Sequence, residues 1–331
     1  MRPFGVALFT TCGLLIAGVL AIAFFGSGED GEPRARFALG PAEHDVAPAA
    51  IALPSGRAAR YVNNNLVSDL ALLEETAEGS LPRIADDGRT PMAAYAASFT
   101  AVDKRPRIAL VISGIGMSDS LTALALAKLP PDITLSIVPF APNVQTVVDG
   151  ARGRGHEVLL EVPMEPLDYP ESDPGPNALM VAANAENNIK KLNLTLRKAT
   201  GYVGITGLLG GRFLGEMPAL QPVLESVSHR GLMFFDNGTF ANSVALTAAR
   251  HAATPFALGS IRLDSVQTPD ALDNQLAELQ MLAIQSGSAI GTAAIAPVTI
   301  ERIANWAEQL DSRGYVLVPL TQLAAKPPTA P

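Results

Sequence analysis

Cysteine is almost missing from this chain: Cys12 is the single cysteine in 331 residues. A chain with one thiol cannot close a disulfide on itself, so its fold must be held by a packed core. Histidine is scarce as well, with His44, His156, His229 and His251 as the whole supply. A typical zinc centre needs several Cys or His ligands. His44 lies in a stretch without pattern, His229 and His251 stand near helix ends, and His156 opens a strand, so each is expected to be structural. Lys and Arg number 24 against 32 Asp and Glu, for a net charge of −8. They form no basic stripe, and phosphate binding needs concentrated cations, which excludes nucleic acid as a partner. Aromatic residues make up 5% of the chain. That excludes an extended stacking platform, so any contact with a sugar is short.

What the sequence does hold begins with residues 4–26, an uncharged apolar run that contains Cys12. It is long enough to cross a hydrocarbon core of roughly 30 Å. Arg2 precedes it and Glu29 and Asp30 follow, which keeps the N-terminus cytoplasmic and exports the rest. The expectation is an uncleaved single-pass anchor over 1–26. Ala21-Ile22-Ala23 has the small-x-small form of a signal-peptide cleavage site and supports the rival reading. Residues 27–104 are rich in Pro, Gly and Ala with scattered charge, which predicts a largely disordered tether. A short helix is expected around Leu66 to Glu75. The tether either packs on the main domain or links it to a partner. A Pro-rich tail closes the chain at 326–331.

Between residues 105 and 325 the pattern becomes regular. Short apolar runs ("RIALVI", "ITLSIVPF", "EVLLEVP", "YVGITG", "LMFFD", "FALGSIRLD", "SAIGTAAI", "YVLVPL") alternate with stretches of helical period. The runs do not alternate polar with apolar, as expected for parallel strands covered on both faces. Arg154-Gly155, Arg230-Gly231, Ser286-Gly287 and Arg313-Gly314 each close a helical stretch before a strand, as helix C-caps do. Thr268-Pro269 opens one, with Leu272, Leu276, Leu279 and Ala283 on a single face. The predicted class is α/β, as a (β/α) barrel of seven or eight parallel strands or a doubly wound sheet. The barrel is preferred because no unit looks like an edge.

In either architecture chemistry belongs where strands end and βα loops begin. Those ends offer Ser113-Gly114, Phe140, Glu161 to Glu165, the loop 207–213, Asp236-Asn237, Asp264 and Gly291-Thr292. "GIG" at 114–116 supplies two glycines of a dinucleotide fingerprint, but Asp119 stands at the third position and would face a pyrophosphate. A tight βα turn with Ser118 as N-cap accounts for it.

The strings "RGHEVLLEVPMEPLDYP", "PGPNALM", "GYVGITGLLGGRF", "RGLMFFDNGT" and "AELQMLAIQSGSAIGTAA" resemble the divergent polysaccharide deacetylase family over about 107–323. The resemblance implies a deformed (β/α) barrel outside the cytoplasm, acting on acylated envelope glycans such as peptidoglycan. It also implies a divalent metal held by an Asp and two His. At the corresponding positions this chain has Ser113-Gly114 for two Asp, Glu161 for a His, Thr206 to Arg212 for Asn-His-Met-Gly-Ser-Arg, and Gly291-Thr292-Ala293 around another expected His. No metal ligand is therefore assigned, and a divalent ion would have to bind through carboxylates, which suits Mg, Ca or Mn.

The residues that remain are carboxylates. Glu161 and Asp236 are candidate catalytic residues, with Arg212 to bind a carboxylate or stabilise an oxyanion. Ser113, Phe140, Glu165, Asn237 and Asp264 are candidate substrate contacts, and Tyr169 and Phe240 lie near enough to stack on a sugar. A purely structural ion pair between Glu161 or Asp236 and Arg212 is the competing reading. The partners expected are an envelope glycan, the bacterial inner membrane through residues 4–26, and a cell-wall enzyme if the barrel is a tethered interaction module in the periplasm.

Overall fold

A computed structural model of the chain describes residues 69–99 and 104–325. The expected anchor at 4–26, most of the expected tether and the tail at 326–331 lie outside them. Among the described residues no helix is long and apolar enough to cross a membrane.

Residues 69–99 fall inside the expected tether, yet they are folded. A single 3-10 turn, Leu70–Leu72, leads into an antiparallel hairpin of β1 (Leu73–Thr76) and β2 (Gly79–Pro82), followed by a one-turn helix α1 (Pro91–Tyr95). The helix expected around Leu66 to Glu75 is thus a turn and a strand in its described part. Asp69 accepts the Ala71 amide and the Thr76 hydroxyl donates to the Gly79 carbonyl, so local side chains favour the turn and hairpin over a helix.

The remaining strands form one parallel sheet. They are β3 (Arg107–Ile115), β4 (Thr134–Ile137), β5 (Val158–Met164), β6 (Gly204–Leu209), β7 (Met233–Asp236), β8 (Phe256–Leu258), β9 (Ile261–Arg262), β10 (Ser288–Ala294) and β11 (Val316–Leu317). The hydrogen-bonded order runs β8-β7-β6-β5-β4-β3-β10-β9, with β11 added to the start of β3. The two ends of that order, β8 and β9, are separated in the chain only by Gly259 and Ser260. The Gly259 amide donates to Asp236 O at the end of β7, and the Ser260 amide donates to Ile290 O on β10. One bent strand therefore pairs with opposite neighbours along its length and curls the sheet into a barrel-like form of eight strands. The single apolar run "FALGSIRLD" holds both halves, which is why the sequence shows no edge.

Seven helices alternate with these strands: α2 (Asp119–Lys128), α3 (Val144–Gly153), α4 (Ala185–Leu196), α5 (Met217–His229), α6 (Ala245–His251), α7 (Pro269–Ser286) and α8 (Pro297–Leu310). Ser118 and Thr268 cap α2 and α7 as their sequences predict, by accepting the Leu121 and Ala271 amides. Period-two alternation splits the core in two. Ile108, Leu110 and Ile112 of β3 face the helix layer with Leu272, Leu276 and Leu279, whereas Ala109 and Val111 face the interior with Leu159, Phe235 and Ile290.

That interior cluster also contains Leu72, Ala85 and Tyr95 from the arm, together with Val316, Val318 and Leu320. The arm closes the end of the barrel where the strands begin. A second tie is polar: buried Glu157, just before β5, accepts the Ala97 amide, the Thr134 hydroxyl, and the amide and hydroxyl of Thr321. The apolar residues of the arm come singly from short elements, a 3-10 turn, a loop and a one-turn helix, so no periodicity announces them.

Candidate functional site

The opposite end, where the strands finish, carries a cavity of about 110 Å³. Register decides which side chains meet there. Glu161 of β5 is paired with Thr206 of β6, Ser113 of β3 with Ala294 of β10, and Thr292 of β10 with Arg262 of β9. These residues line the cavity with Ser136, Asn237, Thr239 and Asp264, over an apolar floor that includes Val111 and Phe235.

Glu161 is 2% exposed, and its Oε1 accepts the Gly114 amide at 2.8 Å. Burial pushes its carboxyl up to about 7, against the pull of that amide and of the neighbouring Ser136 hydroxyl, because the ionised form has lost its water. Gly114 has φ of +81°, a conformation that favours glycine. An added Cβ would meet Ile295 at 3.2 Å and the Met117 sulfur at 3.3 Å. The small residue at the end of β3 thus lets the backbone turn its amide onto Glu161. Two hydroxyls of the cavity wall, Ser136 Oγ and Thr206 Oγ1, are buried without a well-formed hydrogen bond. Ser136 lies near enough to Glu161 to favour its charge.

On the other side of the cavity the Asp264 side chain is fully covered. Its Oδ1 accepts Arg262 Nε at 2.9 Å and its Oδ2 accepts the Ala294 amide at 2.8 Å. Ser113 points its hydroxyl at the Ala293 carbonyl, 3.3 Å away. Asn237 caps its own turn by accepting the Thr239 amide at 3.0 Å.

The structure therefore brings together Glu161, Ser113, Asn237 and Asp264 of the predicted site residues. Asp236 does not line the cavity: its Oδ1 accepts the Gly238 amide at 3.0 Å and its Oδ2 the Ser243 hydroxyl at 2.6 Å, so it fastens the loop after β7. Arg212 and Glu165 also stand apart from it. They pair with each other at 3.0 Å, while Glu165 accepts the Val181 amide at 2.6 Å, an arrangement that ties two βα loops. The ion pair weighed for Arg212 with Glu161 or Asp236 is thus made with Glu165. Phe140 is an exposed side chain, 60% accessible, and Phe213 is core.

Three polar lining residues were not singled out in the sequence, Ser136, Thr239 and Arg262, and Thr206 was named only as part of the stretch that departs from the family pattern. Ser136 and Arg262 sit within apolar strand runs, and a polar residue interrupting a doubly buried strand is the signal that would have found them. His156 lies at the closed end, where its Nδ1 bonds the Ile133 carbonyl at 2.8 Å. Burial holds its imidazole down to about 4, so it stays neutral.

Among the described residues no group of three or more His, Cys, Asp or Glu side chains is placed to hold a metal ion. The cavity offers two carboxylates, and each already has one oxygen taken by a backbone amide. That donor set does not fit the Asp and two His implied by the resemblance, nor an all-oxygen site of six or more ligands.

A family model described as divergent polysaccharide deacetylase matches residues 110–324. The chain is 35% identical to an uncharacterized protein of Agrobacterium tumefaciens C58 of known crystal structure, with a TM-score of 0.72, over 74% of this chain and 99% of that one. It is 24% identical to the uncharacterized protein YibQ of Escherichia coli (strain K12) over 194 residues, and to an uncharacterized protein of Haemophilus influenzae (strain ATCC 51907 / DSM 11121 / KW20 / Rd) over 195 residues. Each alignment covers 59% of this chain, and the two cover 60% and 68% of the respective relatives.

Proposed function

The chain belongs to the divergent polysaccharide deacetylase family, and from that premise we propose that its barrel mouth binds an N-acylated envelope glycan without metal-dependent hydrolysis. One observation carries the reading: the buried hydroxyls of Ser136 and Thr206 line the cavity that holds Glu161, and neither makes a well-formed hydrogen bond. Buried polar groups are normally hydrogen-bonded, and unpaired ones cost about 1–3 kcal/mol each. A ligand carbonyl entering the cavity would relieve them.

The chemistry of the three groups is consistent with a neutral acyl amide. Each hydroxyl can donate, and Glu161, with its carboxyl pushed up to about 7, keeps a protonated fraction at neutral pH that can donate from the oxygen that does not hold Gly114. Phe140 and Tyr169 are exposed on the loops after β4 and β5, at the same end of the sheet as the cavity although they do not line it, and their rings suit the apolar face of a pyranose ring. Hydrolysis would need an activated water as well as a carbonyl clamp. Without a metal to lower its pKa, that water would depend on Glu161 alone. Residues 4–26 would hold the barrel at the inner membrane on its periplasmic side.

Titration calorimetry of the full chain with N-acetylglucosamine oligomers tests this directly. Saturable binding that weakens in Thr206→Val supports it, and equal binding by variant and wild type overturns it. Acetate release that is lost in Glu161→Gln would replace the binding reading with a hydrolytic one.

A further inference from the structure

Arg262 is the one basic residue that lines the cavity among the described residues, and nothing in the acyl-binding reading needs it. Its position is built rather than incidental. Asp264, with a side chain 0% exposed, grips Arg262 Nε through one oxygen and the Ala294 amide through the other. Both carboxylate oxygens are thus engaged from behind. The Arg262 side chain is half exposed, and its terminal Nη nitrogens have no partner among the described residues. Arg212 differs: one of its Nη nitrogens is spent on Glu165, and it does not line the cavity.

A guanidinium fixed through Nε presents its outer edge as a flat donor fork, the geometry that meets a carboxylate with two parallel hydrogen bonds. The cavity wall beside it adds neutral polar groups, Ser113, Asn237, Thr239 and Thr292, and no second cation. A phosphate, with more charge and three oxygens to satisfy, is matched less well by a single fork and hydroxyls. We propose that the barrel mouth selects a glycan bearing a carboxylate on its sugar, and that the outer edge of Arg262 reads that group. The inference rests on the glycan-binding reading and names the class of glycan.

The test compares two probes of equal length on the full chain by titration calorimetry. One is a neutral N-acetylglucosamine tetramer; the other has a carboxylate-bearing ether on alternate N-acetylated sugars and no peptide. The acidic probe should bind about tenfold tighter, as a charge-assisted bidentate contact implies. Arg262→Gln should bring the two affinities within about twofold, by weakening the acidic probe more than the neutral one. Esterifying the carboxylates should have the same effect on the wild type, with no variant to refold. Equal wild-type affinities for both probes would overturn the inference and leave the glycan reading intact, whereas binding of neither would remove both. A preference that survives in Arg262→Gln would also overturn it. So would a short peptide whose terminal carboxylate binds as tightly as the acidic glycan.

Discussion

Replacing Glu161 by Gln should stabilise this protein at alkaline pH and leave it nearly unchanged in mild acid. In the fold the carboxyl titrates near 7, against an ordinary value of 4.5, because burial penalises its charge. Between those values the folded state holds a proton that the unfolded chain has released, so stability falls as pH rises and the loss is complete above the folded value. The gap corresponds to about 3 kcal/mol. Gln keeps the shape and can still accept the Gly114 amide, while its own amide group can donate toward the cavity hydroxyls. Urea unfolding of wild type and variant at pH 5 and pH 8.5 isolates the effect. The expected difference is under about 1 kcal/mol at pH 5 and about 3 kcal/mol in favour of the uncharged variant at pH 8.5. Glu157 and His156 also titrate abnormally, but they sit at the closed end and cancel in the comparison. A difference that does not change with pH would refute the reasoning, since it would mean that Glu161 is ionised or hydrated in the fold.

Three further outcomes can be measured. Because His156 is held neutral down to about 4, below the ordinary 6.5, its stabilisation is present above pH 6.5 and is lost as pH falls through the folded value. His156→Gln should therefore flatten the acid limb of a stability–pH curve relative to wild type, and an unchanged limb would contradict the burial argument. Thr206→Val removes a buried hydroxyl without a protein partner, so the free protein should gain about 1 kcal/mol or more of stability by thermal denaturation while glycan affinity falls about fivefold. Leu72→Ala should cost about 2–5 kcal/mol by chemical denaturation, since Leu72 is fully buried in the barrel interior although a hairpin and a helix separate it from the first barrel strand. A cost under about 1 kcal/mol would show that the arm does not close the barrel.

The barrel strands, their parallel sense and several helix ends were legible in the sequence because each is set by local chemistry. Continuous apolar runs mark strands covered on both faces, and the Arg-Gly joints mark helix ends, where Gly155, Gly231 and Gly314 all take positive φ. The strand-end cavity lies where the same pattern placed the candidate site residues. The packing of residues 69–99 was not legible, because Leu72, Ala85 and Tyr95 reach the barrel interior one at a time from a 3-10 turn, a loop and a one-turn helix, too short for any of them to show a period.

The site divides in the same way. Sequence alone determined that Glu161 and Asp264 lie near strand ends and that small residues stand at Ser113-Gly114. Only the tertiary structure decided which carboxylates face one cavity. Neighbouring strand-end residues point to opposite sides or fold back onto their own loops, so Asp236 fastens a turn and Glu165 takes Arg212, while Asp264 fixes Arg262. Those choices depend on strand register and on the bend at Gly259-Ser260 that joins β8 to β9, and both are settled by pairing across the sheet rather than by residues adjacent in the chain.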